Sequence, residues 1–527
     1  MSFVEALSRL EKVLAPEDIL AITRGIEKES LRVTPKGTLS QKNHPIGLGA
    51  SLTHRFITTD FAESLPELIT PPVQGIDQLL KYLHEIHYFT YQHLGDEMLW
   101  PMSMPGPIAA ESDIRIAEYG KSHSAKMKEI YRHGLAMRYG KWMQAIAGLH
   151  YNFSLPESLL AKWQQALGDT SEQLDFTSSQ YMGMCRRFLA TQWLLPYLFG
   201  ASPIAAESSL VHQHPQCLTQ FSADTWGSFT ATSLRMSPVG YQNDAQGGIV
   251  IDFSDTQGYA KSLLEATQTP YPPFTELGVK TSDGQYLQLN DSVIQIENEY
   301  YSTIRPKQIA TRCERPAMAL IHRGVAYIEV RILDLDPFSP VGITEDTIRF
   351  MDVFMIWCLL TALPSICQTD CQQAKDNLAK VILQGLDPEV QLSDCTKNAV
   401  PLVALAEPIA EELSAVATLL DQCLGAKDYT HAVSKVLSRI HHSKETLASR
   451  LLNALEAHNG SVQSLGMDLA GQHREVFKNY QSDQEIQAIL QQEVASSIAA
   501  KEALEAKQCC QSFEDFLACY FLQGKAL

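Results

Sequence analysis

The chain has 527 residues, enough for a large core, and its 45% hydrophobic and 19% charged content is that of an ordinary globular protein. With 60 acidic against 42 basic side chains its formal charge is −18, a balance that repels nucleic acid and anionic membranes. The opening MSFVEALSRLEKVL lacks the apolar run of a signal peptide, and no window of about 18 apolar residues occurs, so a cytoplasmic protein without membrane spans is expected.

Residues 3–14 place Val4, Leu7, Leu10 and Leu14 at helical spacing, with Pro16 ending the run. From about 20 to 75 the texture turns strand-like: ITRGIEKESLRVT and THRFITTDF alternate β-branched and aromatic residues between turn signals. Residues 76–95 predict an amphipathic helix closed by Gly95, and 125–147 and 155–200 predict further helices. Strand texture returns between 228 and 335, including a hairpin expected over YLQLNDSVIQIENEYY with Asn290-Asp291 near its turn. From about 342 onward the pattern is helical, down to EIQAILQQEVASSIAAKEALEAKQ. The strands do not alternate regularly with helices, so an α+β protein with an antiparallel sheet is expected. The expected division is a catalytic body over 1–365 and a helical C-terminal portion over 366–527 packed on it.

Four segments put carboxylates among apolar neighbours. Strand period places Glu27 and Glu29 on one face, where like charges repel and a cation is expected beside them. Asp60 precedes Phe61, and Glu67 stands at a strand entrance. In YIEVRIL, Ile328, Val330 and Ile332 form a buried face while Tyr327, Glu329 and Arg331 share the other. Singly, each acid reads as a solvated residue or an ion-pair partner. Together they read as a site for hard divalent cations, which take carboxylate oxygens and bridge them to phosphates.

The chain has no G-x-x-x-x-G-K-[ST] loop, no G-x-G-x-x-G turn and no H-E-x-x-H helix. Phosphates would therefore be held by metals and arginines. His84 and His87, three apart on a helix, read as surface residues. The 11 cysteines show no C-x-x-C pair, which reads as free thiols. Cys371 and Cys395 lie where a redox-sensitive bridge is conceivable, although two unrelated thiols is the simpler reading, and adjacent Cys509 and Cys510 read as packing or surface residues.

The segments IEKES, TTDFAESLPELIT, GLHYNFSLP, PYLFGASP, TSLRMSPVGY, QIENEYYSTIRPK and YIEVRILDLDPFSPVGI resemble, in order and spacing, the γ-proteobacterial class of glutamate–cysteine ligases, over about residues 1–365. The resemblance implies a glutamine synthetase-like carboxylate–amine ligase fold, its antiparallel β-sheet forming a funnel flanked by helices. It implies ATP- and Mg²⁺-dependent joining (Mn²⁺ being the alternative ion) of the L-glutamate γ-carboxylate to the L-cysteine amine through a γ-glutamyl phosphate. It assigns Glu27, Glu29, Asp60, Glu67, His150 and Glu329 to the metal ions, Arg132 and Arg331 to the transferring phosphoryl group, and Tyr131, Arg235, Tyr241 and Tyr300 to cysteine. Without the family, His150 would read as a hydrogen-bonded core histidine, Arg235 as a surface residue, the tyrosines as packing residues, and the two arginines as ion-pair partners of nearby glutamates. Arg305 and the loop after Gly247-Gly248 are expected near the nucleotide. Feedback inhibition by glutathione and a monomeric state are also implied. A ligase using another amine, or a non-catalytic protein on a decayed ligase scaffold, are the rivals. The latter predicts loss of an acidic position, and none is lost. No second ATP-using domain is expected.

Overall fold

Six strands from two separated stretches of the chain meet in one sheet: β1 (Thr23–Glu29), β2 (Ile57–Thr59), β3 (Pro66–Ile69), β4 (Leu149–Ser154), β5 (Ile304–Lys307) and β6 (Tyr327–Leu333). Their spatial order is β5-β6-β4-β1-β3-β2, and every pairing is antiparallel, as expected from the sequence. The computed structural model describes the chain apart from residues 211–217, 241–243, 364, 366–367, 508–511 and 525–527. Around the sheet run α1 (Phe3–Glu11), α2 (Ile76–His93), α3 (His123–Tyr139), α4 (Gln173–Thr191), α5 (Glu345–Leu360), α6 (Leu402–Leu424), α7 (Asp428–Leu437), α8 (Val462–Lys478) and α9 (Gln484–Lys507).

The period of two divides the sheet into an apolar and a charged face. Ile26, Tyr151, Phe153, Ile328 and Val330 are fully buried on the apolar face. They join one core with α4 and α5, and α5 is apolar on nearly every side. Asp352 in the middle of α5 is the exception, and it is matched: Arg24 donates to it at 2.6–3.0 Å, Tyr151 at 2.6 Å and Tyr429 of α7 at 3.1 Å. A buried carboxylate survives there because every neighbour that reaches it donates a hydrogen bond.

The C-terminal helices brace this body. α6 and α7 pack on α5, while α8 and α9 pack on α2. Glu493 of α9 accepts from the Arg55 backbone N–H at 3.1 Å and from its guanidinium at 2.9 and 2.7 Å, and Ser497 accepts from the Ala50 N–H. These contacts fix the loop that leads into β2. At the other end α1 starts in a capping box between Ser2 and Glu5 and buries Ala6 and Leu10. Among the described residues no helix is long and apolar enough to cross a membrane.

Two expectations fail here. Residues 286–301 form no hairpin. The stretch is irregular, with a short 3-10 turn over Glu297–Glu299, because its polar side chains bond to neighbouring backbone instead of leaving it for a ladder. Asn290 donates to the Gln295 carbonyl and Gln295 accepts from the Leu289 N–H. His87 is not a surface residue. It is fully buried, its Nε2 at 2.9 Å from Lys28 Nζ and its ring stacked on Phe477, whereas His84 is half-buried beside Tyr480. Cys371 lies in the helix Gln368–Gln384 and Cys395 in the turn before Ala399–Pro401, and neither is in a disulfide. Cys509 and Cys510 lie outside the described residues.

Candidate active site on the charged face of the sheet

Strand register alone assembles the charged face. Glu27 stands opposite His150, Glu29 opposite Glu67, Glu329 opposite both Asn152 and Arg305, and Tyr327 opposite Lys307. Four strands thus contribute acids or histidine to one surface, and the expected convergence of Glu27, Glu67, His150 and Glu329 is what the structure holds.

The distances are those of a ligand cluster. Glu27, His150 and Glu329 bring donor atoms within 4.8 Å of one another, and so do Glu29, Glu67 and His150. His150 Nδ1 lies 3.2 Å from Glu27 and 4.0 Å from Glu329, and its Nε2 lies 3.9 Å from Glu29. Asn152, on the same face of β4 as His150, donates to the second Glu27 oxygen at 2.9 Å. Asp60, just past β2, stands outside the two tightest groups, yet its charge acts on both Glu29 and Glu67.

Crowding shows in the proton affinities. Burial, together with repulsion from Asp60, pushes the Glu29 carboxyl up to about 8. Burial and the charges of Glu27, Asp60 and Glu29 raise Glu67 well above the usual carboxylate range. Burial works against ionised Glu27 and Glu329 as well, but for Glu27 the His150 hydrogen bond and the charges of His150 and Lys307 together outweigh it. For Glu329 the charges of Lys307 and Arg331 do, and both carboxyls end below their usual range. Burial and Arg331 lower His150, which leaves a ring nitrogen free of a proton. Carboxylates this close and this buried accommodate a divalent cation at little further cost, since the ion replaces their mutual repulsion with attraction.

Cations line the flanks. Arg331 Nη1 is 3.4 Å, Lys307 Nζ 3.3 Å and Arg305 Nη1 3.9 Å from Glu329. Arg305 also donates to the Asn298 and Tyr300 carbonyls, which ties the half-buried Tyr300 to β5. On α3, Arg132 is buried and its Nε donates to the Asp60 carbonyl at 2.5 Å. Tyr131 is half-buried beside it, its carbonyl accepting from Gln295. Arg235 is 3% exposed, so it is no surface residue; its Nη2 donates to the Arg331 carbonyl at 2.9 Å and its Nη1 lies 3.6 Å from Asp334. Tyr241 lies outside the described residues. The open backbone of Gly247 and Gly248 ends a short 3-10 turn. Sequence reading passed over Lys307 and Asn152, although each shares a strand face with a residue it singled out: Arg305 and His150.

One cavity, of about 1030 Å³, is lined by residues of the helical side such as Gln180, Arg187, Trp357 and Glu412, and by none of the acidic residues above. Charge and convergence, rather than volume, distinguish the charged face.

The family model for glutamate–cysteine ligase matches residues 7–381. The chain is 41% identical to a glutamate–cysteine ligase of Alcanivorax borkumensis over 515 residues, covering 96% of this chain and 97% of that one. It is 42% identical to one of Azotobacter vinelandii over 499 residues, covering 94% and 93%. The crystal structure of a glutamate–cysteine ligase from Francisella tularensis in complex with AMP superposes with a TM-score of 0.90 at 37% identity, over 96% of this chain and 98% of that one. A bifunctional glutathione synthetase from Pasteurella multocida superposes with a TM-score of 0.70 at 27% identity, over 90% of this chain and 54% of that one.

Proposed function

This chain belongs to the glutamate–cysteine ligase family and so uses ATP to join L-glutamate to L-cysteine, the first step of glutathione biosynthesis, and we propose that the charged sheet face is where it does so. One observation carries this reading: Glu27, Glu29, Glu67, His150 and Glu329 converge from four strands onto one surface flanked by arginines.

Magnesium fits these residues. The donors are carboxylate oxygens and one imidazole, and Glu329 keeps a buried oxygen that accepts no hydrogen bond. Glu27, Glu29, Glu67, His150 and Glu329, with Asp60 beside them, would hold the ion, Mn²⁺ being the alternative. When bound, such an ion would offset the negative charge of these carboxylates and of the nucleotide phosphates.

The rest is done by side chains. A carboxylate does not acylate an amine at neutral pH, because its oxygen is a poor leaving group. The glutamate γ-carboxylate first takes the terminal phosphoryl group of ATP, giving γ-glutamyl phosphate. The cysteine amine then attacks its carbonyl carbon and phosphate departs. Arg132 and Arg331 keep their charge throughout and face the phosphoryl group in transit, where fixed positive charge counts most. Arg305 and the loop at Gly247-Gly248 serve the nucleotide. Tyr131, Arg235, Tyr241 and Tyr300 form the cysteine pocket. The hydrogen bond from Arg235 to the Arg331 carbonyl couples that pocket to the strand that handles phosphate.

Residues 1–365 act as the catalytic body and 366–527 as its helical brace. The same reading carries feedback inhibition by glutathione, whose γ-glutamyl and cysteinyl parts repeat the two amino acids that are joined, and a monomeric cytoplasmic enzyme. An ADP-release assay tests the core of it: release must need glutamate, cysteine and Mg²⁺ together. Release that persists without cysteine would refute cysteine as the acceptor.

A further inference from the structure

Helix α3 carries positive charge that no carboxylate of the described residues pairs within ion-pair distance. Lys128 and Arg132, one turn apart, both lie over the ring of Tyr119: Lys128 Nζ is 5.0 Å and Arg132 Cζ 4.7 Å from its centroid. Tyr119 is 1% exposed, and its hydroxyl donates to the Thr59 and Asp60 carbonyls at 2.7 and 2.9 Å. The ring is therefore fixed to the strand end from which Asp60 projects. Arg312 adds a third cation, hydrogen-bonded to Ser124 in the first turn of the same helix and close enough for its charge to act on Lys128.

None of Lys128, Arg132 and Arg312 forms an ion pair with a carboxylate of the described residues. That is unusual in a chain of net charge −18. Like charges four residues apart on a helix repel, and here nothing within ion-pair distance relieves them. The charges of Glu67 and Asp60 do act on Lys128, so its ammonium group faces the acidic side of the sheet, yet its side chain stays exposed. The arrangement is complete only when an anion lies between the acids with their cation and the two helix cations.

We propose that Lys128 is a further phosphate-contacting residue, which with Arg132 receives the terminal phosphate of the nucleotide on the Tyr119 side of the charged face. This rests on the assignment of that face to the nucleotide. In the transfer the bond from the γ-phosphorus to the β-bridging oxygen breaks as the bond to the glutamate carboxylate oxygen forms. ADP leaves with the electron pair, and Lys128 keeps its proton. A compact ammonium on a flexible stem suits a group that moves between two positions, whereas the Arg132 fork is already anchored through Nε.

The test compares full-length wild type with Lys128→Met and Lys128→Arg. Binding of AMP and of the non-hydrolysable triphosphate AMPPNP is measured by calorimetry with Mg²⁺, and turnover by ADP release. Lys128→Met should bind AMP as the wild type does, bind AMPPNP about 10-fold more weakly, and lose about 10²-fold in kcat/KM for ATP, in line with loss of one preorganised charge contact. Lys128→Arg should recover most of both. Unchanged AMPPNP affinity and turnover in Lys128→Met would overturn the proposal. So would equal weakening of AMP and AMPPNP with a lowered melting temperature, which marks a structural role. A wild type that binds no AMPPNP with Mg²⁺ would overturn the nucleotide assignment itself, an outcome distinct from the other two.

Discussion

Glu29 on β1 and Glu67 on β3 are direct cross-strand partners, a buried and a half-buried carboxyl facing each other across an antiparallel ladder. Like charges so placed destabilise a sheet, and burial raises the cost. On the proposed reading the pair is explained by the divalent cation it would hold. Glu67→Gln should therefore melt at or above the wild-type temperature in EDTA. Saturating Mg²⁺ should stabilise the wild type, by about 2.7 kcal/mol at a hundredfold excess over Kd, and the variant distinctly less. Turnover should fall by about 10²–10³-fold, as when one preorganised electrostatic group is lost. Differential scanning calorimetry with and without Mg²⁺ decides, and an equal Mg²⁺ shift in both proteins would exclude Glu67 as a ligand.

On the opposite face the Arg24–Asp352 pair joins β1 to α5 with side-chain exposures of 2% and 0%. Removing one partner strands a charge in the core. Asp352→Ala should cost about 3–5 kcal/mol in urea unfolding, since Arg24, Tyr151 and Tyr429 all lose their acceptor. The double change Arg24→Met with Asp352→Leu should cost less than Asp352→Ala alone, because no orphaned charge remains. A double variant as unstable as the single one would mean that packing, not charge, sets the cost.

How far the sequence revealed this molecule follows from the kind of signal each residue emits. Glu27, Glu29 and Glu329 were legible because a strand's period of two makes an acid among apolar neighbours visible. His150 emits no such signal; only the family resemblance singled it out. Lys128 and Tyr119 meet by tertiary packing, for which sequence has no local mark. His87 misled because one polar residue on an amphipathic helix reads as exposed, and the buried Lys28 that meets it comes from a strand 59 residues away. The hairpin expected at Asn290-Asp291 failed for a related reason: the side chains that looked like turn formers instead bond the local backbone, and Glu299 is drawn to Arg138 and Tyr139 of α3.

Glu329 is the hinge of the charged face, with three cations within 3.9 Å, one of them its cross-strand partner Arg305. Glu329→Gln keeps the shape of the side chain and removes its charge. Lys307, Arg305 and Arg331 then repel one another, and a hard-cation donor is lost. Circular dichroism should be unchanged while kcat falls by about 10²–10³-fold. Near-wild-type turnover at ordinary Mg²⁺ would remove Glu329 from the site.

His54 ties stability to pH. Its Nδ1 accepts the backbone N–H groups of Phe56 at 3.1 Å and Ile57 at 2.9 Å, which begins β2 and fixes the approach to Asp60. A nitrogen that accepts two hydrogen bonds cannot also carry a proton. Burial, with Arg55 opposing and Glu493 favouring charge, lowers the ring from its usual 6.5 to about 4. Above pH 6.5 neither the folded nor the unfolded chain is protonated there, and His54 costs nothing. Between 6.5 and 4 only the unfolded chain takes up the proton, so stability falls as pH falls, by about 1.4 kcal/mol per unit for this one site. His44 and His473, each lowered by burial to about 4, add to the slope in the same direction. His54→Asn keeps an acceptor near Nδ1 and does not titrate. Unfolding free energies measured from pH 7.5 to 4.5 should fall less steeply in that variant, by the contribution of one proton. Identical slopes in the two proteins would show that His54 is already protonated in the fold and that β2 begins some other way.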